Sequence, residues 1–217
     1  MRSLPHPVII LTTPPLPSSS DTTGPAHDPT GHGITLSTLT CLSLAPYPLV
    51  SFNIKTPSRT SLSLHNSGRF CIHVMSSSPH SAHVANIFAQ LAASHTTKQS
   101  PWEKLRGKTE VVDGVPTMGR EDGVLSRWSV VTEKYVDVQD HEVWVGRVVG
   151  VEELAGEEGK GLMYQNRRFR NVGEEVVPEF GGMGEGVAKI DVEAEAREAA
   201  GGRYKGVVSD YVNGSEF

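Results

Sequence analysis

The sequence has few cysteines, few aromatic residues and no long apolar segment. Its 217 residues include two cysteines, Cys41 and Cys71, too few for the dense disulfide framework of a small secreted domain. The longest apolar run, residues 8–11, has the length of a strand and is far shorter than the roughly 20 residues that cross a bilayer. No secretory signal is recognisable behind Met1, so we expect an intracellular protein, cytoplasmic or mitochondrial.

Basic residues are scarce in the first half of the chain and are scattered along it. The net charge is −5 with histidine neutral, but residues 1–100 carry +3 and residues 101–217 carry −8. An anionic ligand would therefore favour the first half. The cations there form neither a stripe for a nucleic-acid backbone nor a polybasic membrane patch, so we expect no nucleic-acid partner and no membrane partner.

The sequence does contain many short apolar and β-branched segments. Those with the composition of strands are residues 8–13, 34–44, 49–54, 70–75, 124–138, 141–154 and 162–164. Two helices are predicted, one between the cap Ser58 and the terminating Gly68, and one that begins at Pro79 behind Ser78. Residues 96–123 are expected to be irregular. Short strands without regular βαβ alternation predict a fold dominated by β-structure, an antiparallel barrel or sandwich with a few helices.

One predicted strand has a hydroxyl-rich face. Its central run is Thr35-Leu36-Ser37-Thr38-Leu39-Thr40, in which hydroxyl side chains recur beside leucine. Threonine favours strands in general, so this face could simply be exposed to solvent. The other interpretation is a row of hydroxyl and backbone donors that lines a polar ligand.

A second polar segment follows the next predicted strand. Residues 53–60 contain a strand end, two cations, three hydroxyl side chains and a helix N-terminus; among them are Asn53, Ile54, Lys55, Ser58, Arg59 and Thr60. The free N–H groups of a helix start and a nearby guanidinium bind phosphate well. The run therefore has the composition of a phosphate site, although a capped surface helix with solvated cations would show the same residues.

The order of these segments resembles that of the flavin reductase-like family. The matching segments are 7–13, 33–38, 43–46, Ser58-Arg59-Thr60, 67–74, 88–89, 140–148 and Leu162-Met163-Tyr164. The resemblance assigns residues 1–170 to one domain and leaves 171–217 as an acidic, Gly- and Glu-rich extension. It implies the FMN-binding split-barrel fold, a six-stranded antiparallel Greek-key barrel, in a homodimer that binds flavin near the subunit interface.

The resemblance also implies an activity and assigns residues to it. The activity is hydride transfer from NADH or NADPH to FMN, with FAD possible, and electron delivery to free flavin, a partner monooxygenase or another acceptor. By position, His141 would face the nicotinamide and is the candidate catalytic residue. The implied flavin-binding residues are Thr35, Leu36, Ser37, Thr38, Thr40, Asn53, Ile54, Lys55, Ser58, Arg59, Thr60, Phe88, Tyr164 and Arg168.

Other functions stay open at this point. Gln165-Asn166 replaces the aromatic-basic pair common after the tyrosine in this family, which leaves room for an FMN-binding carrier or assembly subunit without efficient NAD(P)H oxidation. An oxidase of the pyridoxamine-phosphate type is less favoured because no second phosphate site is evident. His80 and His83 lack carboxylate or thiolate partners at ligand spacing, so no metal site is predicted.

Overall fold

The computed structural model describes residues 3–17, 30–93, 100–105, 107–155 and 159–173. The helices in these ranges are α1 (Arg59–Ser67) and α2 (Pro79–Ala93). The strands are β1 (His6–Pro7), β2 (Ile9–Thr13), β3 (His32–Leu36), β4 (Thr40–Ser43), β5 (Leu49–Lys55), β6 (Arg69–Met75), β7 (Glu110–Val112), β8 (Val115–Thr117), β9 (Val124–Val138), β10 (His141–Glu153), β11 (Leu162–Gln165) and β12 (Arg168–Asn171). Most of the proposed extension, residues 174–217, lies outside the described residues.

Seven antiparallel strands form the main sheet, in the order β3-β2-β6-β9-β10-β5-β4. The long strands β9 and β10 form the predicted hairpin, joined at Gln139 and Asp140. The predicted fold class is confirmed, since the described residues are mainly strands that pair antiparallel and only two α-helices accompany them. The main sheet holds seven strands where six were expected.

The extra strand arises because the predicted strand over residues 34–44 is divided. Its first part, β3, pairs with β2, whereas its second part, β4, pairs with β5 at the opposite edge of the sheet. One continuous strand cannot serve both edges, so the chain leaves the ladder between them. There the Thr38 hydroxyl accepts a hydrogen bond from the backbone N–H of Asn53 at 3.0 Å, which ties the connection between β3 and β4 to β5.

The strand β2 is buried on both faces, which explains its uninterrupted apolar sequence. Side chains alternate across a strand, so Ile9 and Leu11 point into the barrel interior while Ile10 points to the other side, towards α2. The barrel core also contains Phe52, Phe70 and Trp144. The second core, between the sheet and α2, contains Met75, Val84, Phe88 and Trp102.

The predicted signals at the ends of α1 are confirmed. The Ser58 hydroxyl accepts a hydrogen bond from the N–H of Ser61 at 3.4 Å, and Gly68 ends the helix in the left-handed conformation with φ of 63°. The Gly68 N–H donates to the carbonyl of Leu64, whose side chain enters the barrel core. This helix lies against β2 and β3, with its first turn directly after β5.

The segment expected to be irregular contains the hairpin β7–β8. Its turn is Asp113-Gly114, and both residues have positive φ, 51° and 82°. An Asp-Gly pair between β-branched residues is a strong hairpin signal, so the sequence did carry the information. A third sheet is formed by β1, β11 and β12. Within the described ranges, no helix has both the length and the apolarity needed to span a membrane.

We expect Gly33→Ala to destabilise the fold. A Cβ atom at Gly33 would lie 2.5 Å from Cε1 of Phe88, whose ring is fully buried and packs edge-on against Trp102. Overpacking of this kind costs about 1–3 kcal/mol of unfolding free energy. Gly150→Ala is the control, because its Cβ would meet its nearest atom, in Ser129, at an ordinary 3.7 Å. Urea unfolding measures both variants, and equal losses would contradict the expectation.

Candidate functional site

The pairing of β5 with β10 brings several predicted site residues onto one face of the sheet. Lys55 lies opposite His141, and Asn53 lies opposite Val143. Directly opposite residues of an antiparallel pair project from the same face. Ile54 and Glu142, one position away on each strand, are buried on the other face. Asn53, Lys55 and His141 therefore project outward together.

The connection after β3 and the edge strand β4 add hydroxyl groups beside this face. The Thr38 hydroxyl is bonded to the backbone of Asn53, and Thr40 on β4 lies opposite Ser51, which lies opposite Val145. Apolar side chains continue the face along β10 and β9. We call this surface the β5–β10 face; its residues are Thr38, Thr40, Ser51, Asn53, Lys55, His141, Val143, Val145 and Val136.

The start of α1 adjoins this face. The N–H of Thr56, between β5 and α1, donates to the carbonyl of Asp140 at 2.9 Å, next to the first residue of β10. The N–H of Leu62 donates to Ser58 O, so the N–H groups of Arg59 and Thr60 precede the helical hydrogen bonds. The first turn of α1 holds no acidic residue. Such a turn favours an anion.

Charged groups meet where β5 ends and β10 begins. A carboxylate oxygen of Asp140 accepts from His141 Nδ1 at 2.7 Å, and its other oxygen lies 3.7 Å from Lys55 Nζ. The hydrogen bond from His141 is the main reason that the pKa of Asp140 lies below its usual value, with a smaller contribution from Lys55. The bond also fixes the imidazole and leaves Nε2 as the ring nitrogen for a ligand.

Several predicted site residues have buried side chains. Leu36 and Ile54 belong to the barrel core and are only 7% and 0% exposed, so they offer a ligand almost no surface. Phe88 was expected to approach the cofactor, but its ring is fully buried against Trp102 and has no surface for a ligand to touch. The Thr35 hydroxyl donates to the carbonyl of Ala85 at 2.6 Å and so holds α2 against β3.

The remaining predicted residues differ in exposure and location. Ser37 and Arg59 are half-buried, whereas the side chain of Thr60 is almost completely buried. Tyr164 and Arg168 lie on the three-stranded sheet, where the Tyr164 ring contacts Phe169 edge-on with 5.5 Å between ring centroids. The structure thus brings the β5–β10 residues and the start of α1 together, and it places Tyr164 and Arg168 on a different sheet.

Sequence reasoning did not identify a role for Glu142, the second residue of β10. The residue is 7% exposed, and its carboxylate accepts from the Ser61 hydroxyl (2.6 Å), Trp144 Nε1 (2.9 Å) and His65 Nε2 (2.9 Å). Burial alone would raise the pKa of Glu142, but hydrogen bonds from His65, Ser61 and Trp144 hold it below its usual value. A charged residue at an inward position of a strand was the available signal.

His73 is a buried titratable group away from this face. Burial lowers its pKa to about 4, and the imidazole is neutral, donating from Nδ1 to Ile10 O and accepting at Nε2 from the N–H of Met118. Both ring nitrogens therefore serve backbone groups. Among the described residues, no cluster of three or more His, Cys, Asp and Glu side chains is placed to hold a metal ion.

Comparison with known proteins supports the same fold. The chain resembles nitrilotriacetate monooxygenase component B from Mycobacterium thermoresistibile (24% identity, 81% of this chain and 85% of that one, TM-score 0.62). It also resembles the flavin reductase HpaC in complex with NADP+ (22% identity, 79% of this chain and 93% of that one, TM-score 0.61). A third similar structure is that of the styrene monooxygenase flavin reductase SMOB from Pseudomonas putida S12 (19% identity, 81% of this chain and 96% of that one, TM-score 0.58).

These likenesses, each below 25% identity, establish the fold. The family is given by a separate comparison of the sequence with family models. The flavin reductase like domain matches residues 1–173, which include every described strand and both described helices. The chain therefore belongs to the flavin reductase-like domain family.

Proposed function

We propose that this protein is an NAD(P)H-dependent flavin reductase that binds FMN on the β5–β10 face. The observation that carries the proposal is the register of β5 with β10. It places polar groups and His141 on one face, next to a helix start suited to phosphate. Family membership supports flavin as the ligand.

The start of α1 fits the phosphate of a mononucleotide. The backbone N–H groups of Arg59 and Thr60 precede the helical ladder, and the Arg59 guanidinium can add a charge-assisted, bidentate contact. The Ser58 hydroxyl already accepts from Ser61, and its own proton can be donated to a phosphate oxygen. Lys55 lies nearby at the end of β5, where its ammonium group is 3.7 Å from the Asp140 carboxylate.

The β5–β10 face fits the isoalloxazine ring, which has large apolar surfaces and a polar edge. Val143 and Val145 are half-buried and offer apolar contact, while the side chains of Asn53 and Thr38 offer hydrogen bonds. When bound, the flavin supplies the hydride and electron chemistry. The protein then needs to bind and orient two nucleotides.

His141 is proposed to contact the nicotinamide nucleotide. Its Nδ1 is held by Asp140, so the ring orientation is fixed and Nε2 is left for the amide or phosphate of the second nucleotide. The HpaC relative is described in complex with NADP+, which supports a pyridine nucleotide as the co-substrate.

A second copy of the chain is the proposed cover of this face. Val136 and Val138, next to Val143 and His141, are 54% and 47% exposed. Beyond Thr132, whose N–H donates to the carbonyl of Gly68, β9 pairs with β10 and with no other strand of the described residues. A homodimer with flavin near the interface would cover both. Two of the similar proteins are named as components of monooxygenase systems. We therefore propose a partner monooxygenase as the electron acceptor.

One observation favours the alternative of an FMN-binding module without efficient NAD(P)H oxidation. The Gln165 side chain donates to the carbonyl of Ser3 at 2.6 Å, so the residue after Tyr164 is used to hold the N-terminal segment. This use leaves it less free to assist a second nucleotide.

Anaerobic spectroscopy tests the proposed function. The FMN-loaded protein should lose the visible absorbance of its oxidised flavin when NADH or NADPH is added. His141→Ala should keep the bound flavin but bleach more slowly, because its loss affects the nicotinamide and not the phosphate. Flavin that binds yet stays oxidised would favour the FMN-binding module, and failure to bind FMN would reject both functions.

The phosphate assignment makes a separate prediction. Arg59→Ala should weaken FMN binding by about tenfold or more, because a charge-assisted hydrogen bond contributes about 1.5–3 kcal/mol. Arg69→Ala is the control, since this exposed arginine follows the other end of α1 and lies 3.9 Å from Asp113. Quenching of FMN fluorescence gives both dissociation constants. Equal values for the two variants would place the phosphate elsewhere.

A further inference from the structure

Glu142 makes hydrogen bonds that the proposed chemistry does not use. Its inward carboxylate would be costly to bury alone, because a charge that leaves water needs partners. The partners come from two elements: Trp144 on its own strand, and Ser61 and His65 on α1. One side chain of β10 therefore bonds to two successive turns of α1.

These bonds add to the backbone contacts that already bring the start of β10 close to the start of α1. The helix α1 lies along β2 and β3, whereas Glu142 reaches it from β10. Ser61 is the third residue of α1, directly after the two residues whose N–H groups precede the helical ladder. Glu142 directly follows His141 in sequence. The carboxylate thus links the first turn of α1 to β10 at the position next to His141.

Aromatic packing restricts the movement of this link. The Trp144 ring stacks on Tyr135 of β9, with 5.0 Å between centroids and 30° between planes. The His65 ring contacts Tyr135 edge-on at 4.4 Å and Trp144 at 4.8 Å. The donors on both sides of the carboxylate are therefore packed against each other and against β9.

We infer that Glu142 is a positioning residue of the nucleotide site: through Ser61 it fixes the phosphate-binding turn of α1, and through β10 it fixes His141. This inference rests on the proposed function. It predicts that loss of the Ser61 bond disturbs flavin binding, whereas loss of the Glu142 carboxylate disturbs both flavin binding and nicotinamide use.

The chain offers a matched pair of variants for the test. Ser61 and Ser63 are both on α1, both are buried, and both donate one short hydrogen bond: Ser61 to Glu142 at 2.6 Å and Ser63 to the carbonyl of Pro14 at 2.7 Å. Ser61→Ala should raise the FMN dissociation constant about fivefold, at the lower end of the coupling usual between linked sites. Ser63→Ala should lower the melting temperature by about as much as Ser61→Ala does, because each variant loses one hydrogen bond, but it should leave the FMN dissociation constant unchanged.

Glu142→Gln tests the other half of the inference. It keeps the size of the side chain and removes the charge, so we expect it to raise both the FMN dissociation constant and the KM for NADH, each about fivefold or more. Ser61→Ala should raise the FMN dissociation constant and leave the KM for NADH, measured at saturating FMN, unchanged. Should Glu142→Gln fail to fold, the comparison of the two serine variants still decides the inference.

The outcomes separate the inference from the proposed function. Wild-type protein that binds no FMN would overturn both. Wild-type protein that binds FMN, with Ser61→Ala and Ser63→Ala equal in affinity, would overturn the inference alone, because the Glu142 bonds would then stabilise the fold without positioning the site. A Glu142→Gln variant that loses only thermal stability would have the same meaning.

Discussion

The antiparallel pairing of β5 with β10 is the constraint on which both the core and the proposed site depend. The side chains of a strand alternate between faces, so a shift of one residue would move every side chain to the other face. Such a shift would expose Phe52 and Ile54, which fill the barrel. It would also bury Lys55 without a partner, at a large cost in solvation. The hydrophobic core thus fixes the register, and the register presents the binding residues.

The same alternation places the imidazole of His141 and the carboxylate of Glu142, which are neighbours in sequence, on opposite faces of the sheet. His141 projects outward beside Lys55, where the proposed anionic nucleotides would bind, while Glu142 turns inward, where hydrogen-bond donors stabilise its negative charge. The carboxylate is thereby kept off the outer face. The cations of the proposed phosphate site, Lys55 and Arg59, come from the first hundred residues, the half of the chain that carries net positive charge.

Local signals in the sequence predicted much of the fold. The apolar run of β2, the cap Ser58 and the terminator Gly68 all depend on neighbouring residues, and each was predicted correctly. The break between β3 and β4 was not predicted, because it depends on which strand each half pairs with. The β7–β8 hairpin was missed even though Asp113-Gly114 is a local signal.

The site was predictable to a smaller extent. The composition of residues 53–60 and the helix start indicated Asn53, Lys55 and the α1 turn. Phe88 was assigned to the cofactor from the family resemblance, and its ring lies instead in the interior between sheet and helix. The link at Glu142 was beyond sequence reasoning, since its partner Ser61 lies 81 residues away in the chain. Contacts of that range follow from tertiary structure and not from local pattern.

The most direct measurement compares FMN with riboflavin, which lacks the phosphate, by amide chemical-shift mapping of the labelled protein. The difference between the two ligands isolates the phosphate. The predicted result is that this difference is largest at the amides of Arg59 and Thr60. A difference that is largest at residues 76–82, around the start of α2, or spread evenly over the barrel would contradict the proposed position of the nucleotide.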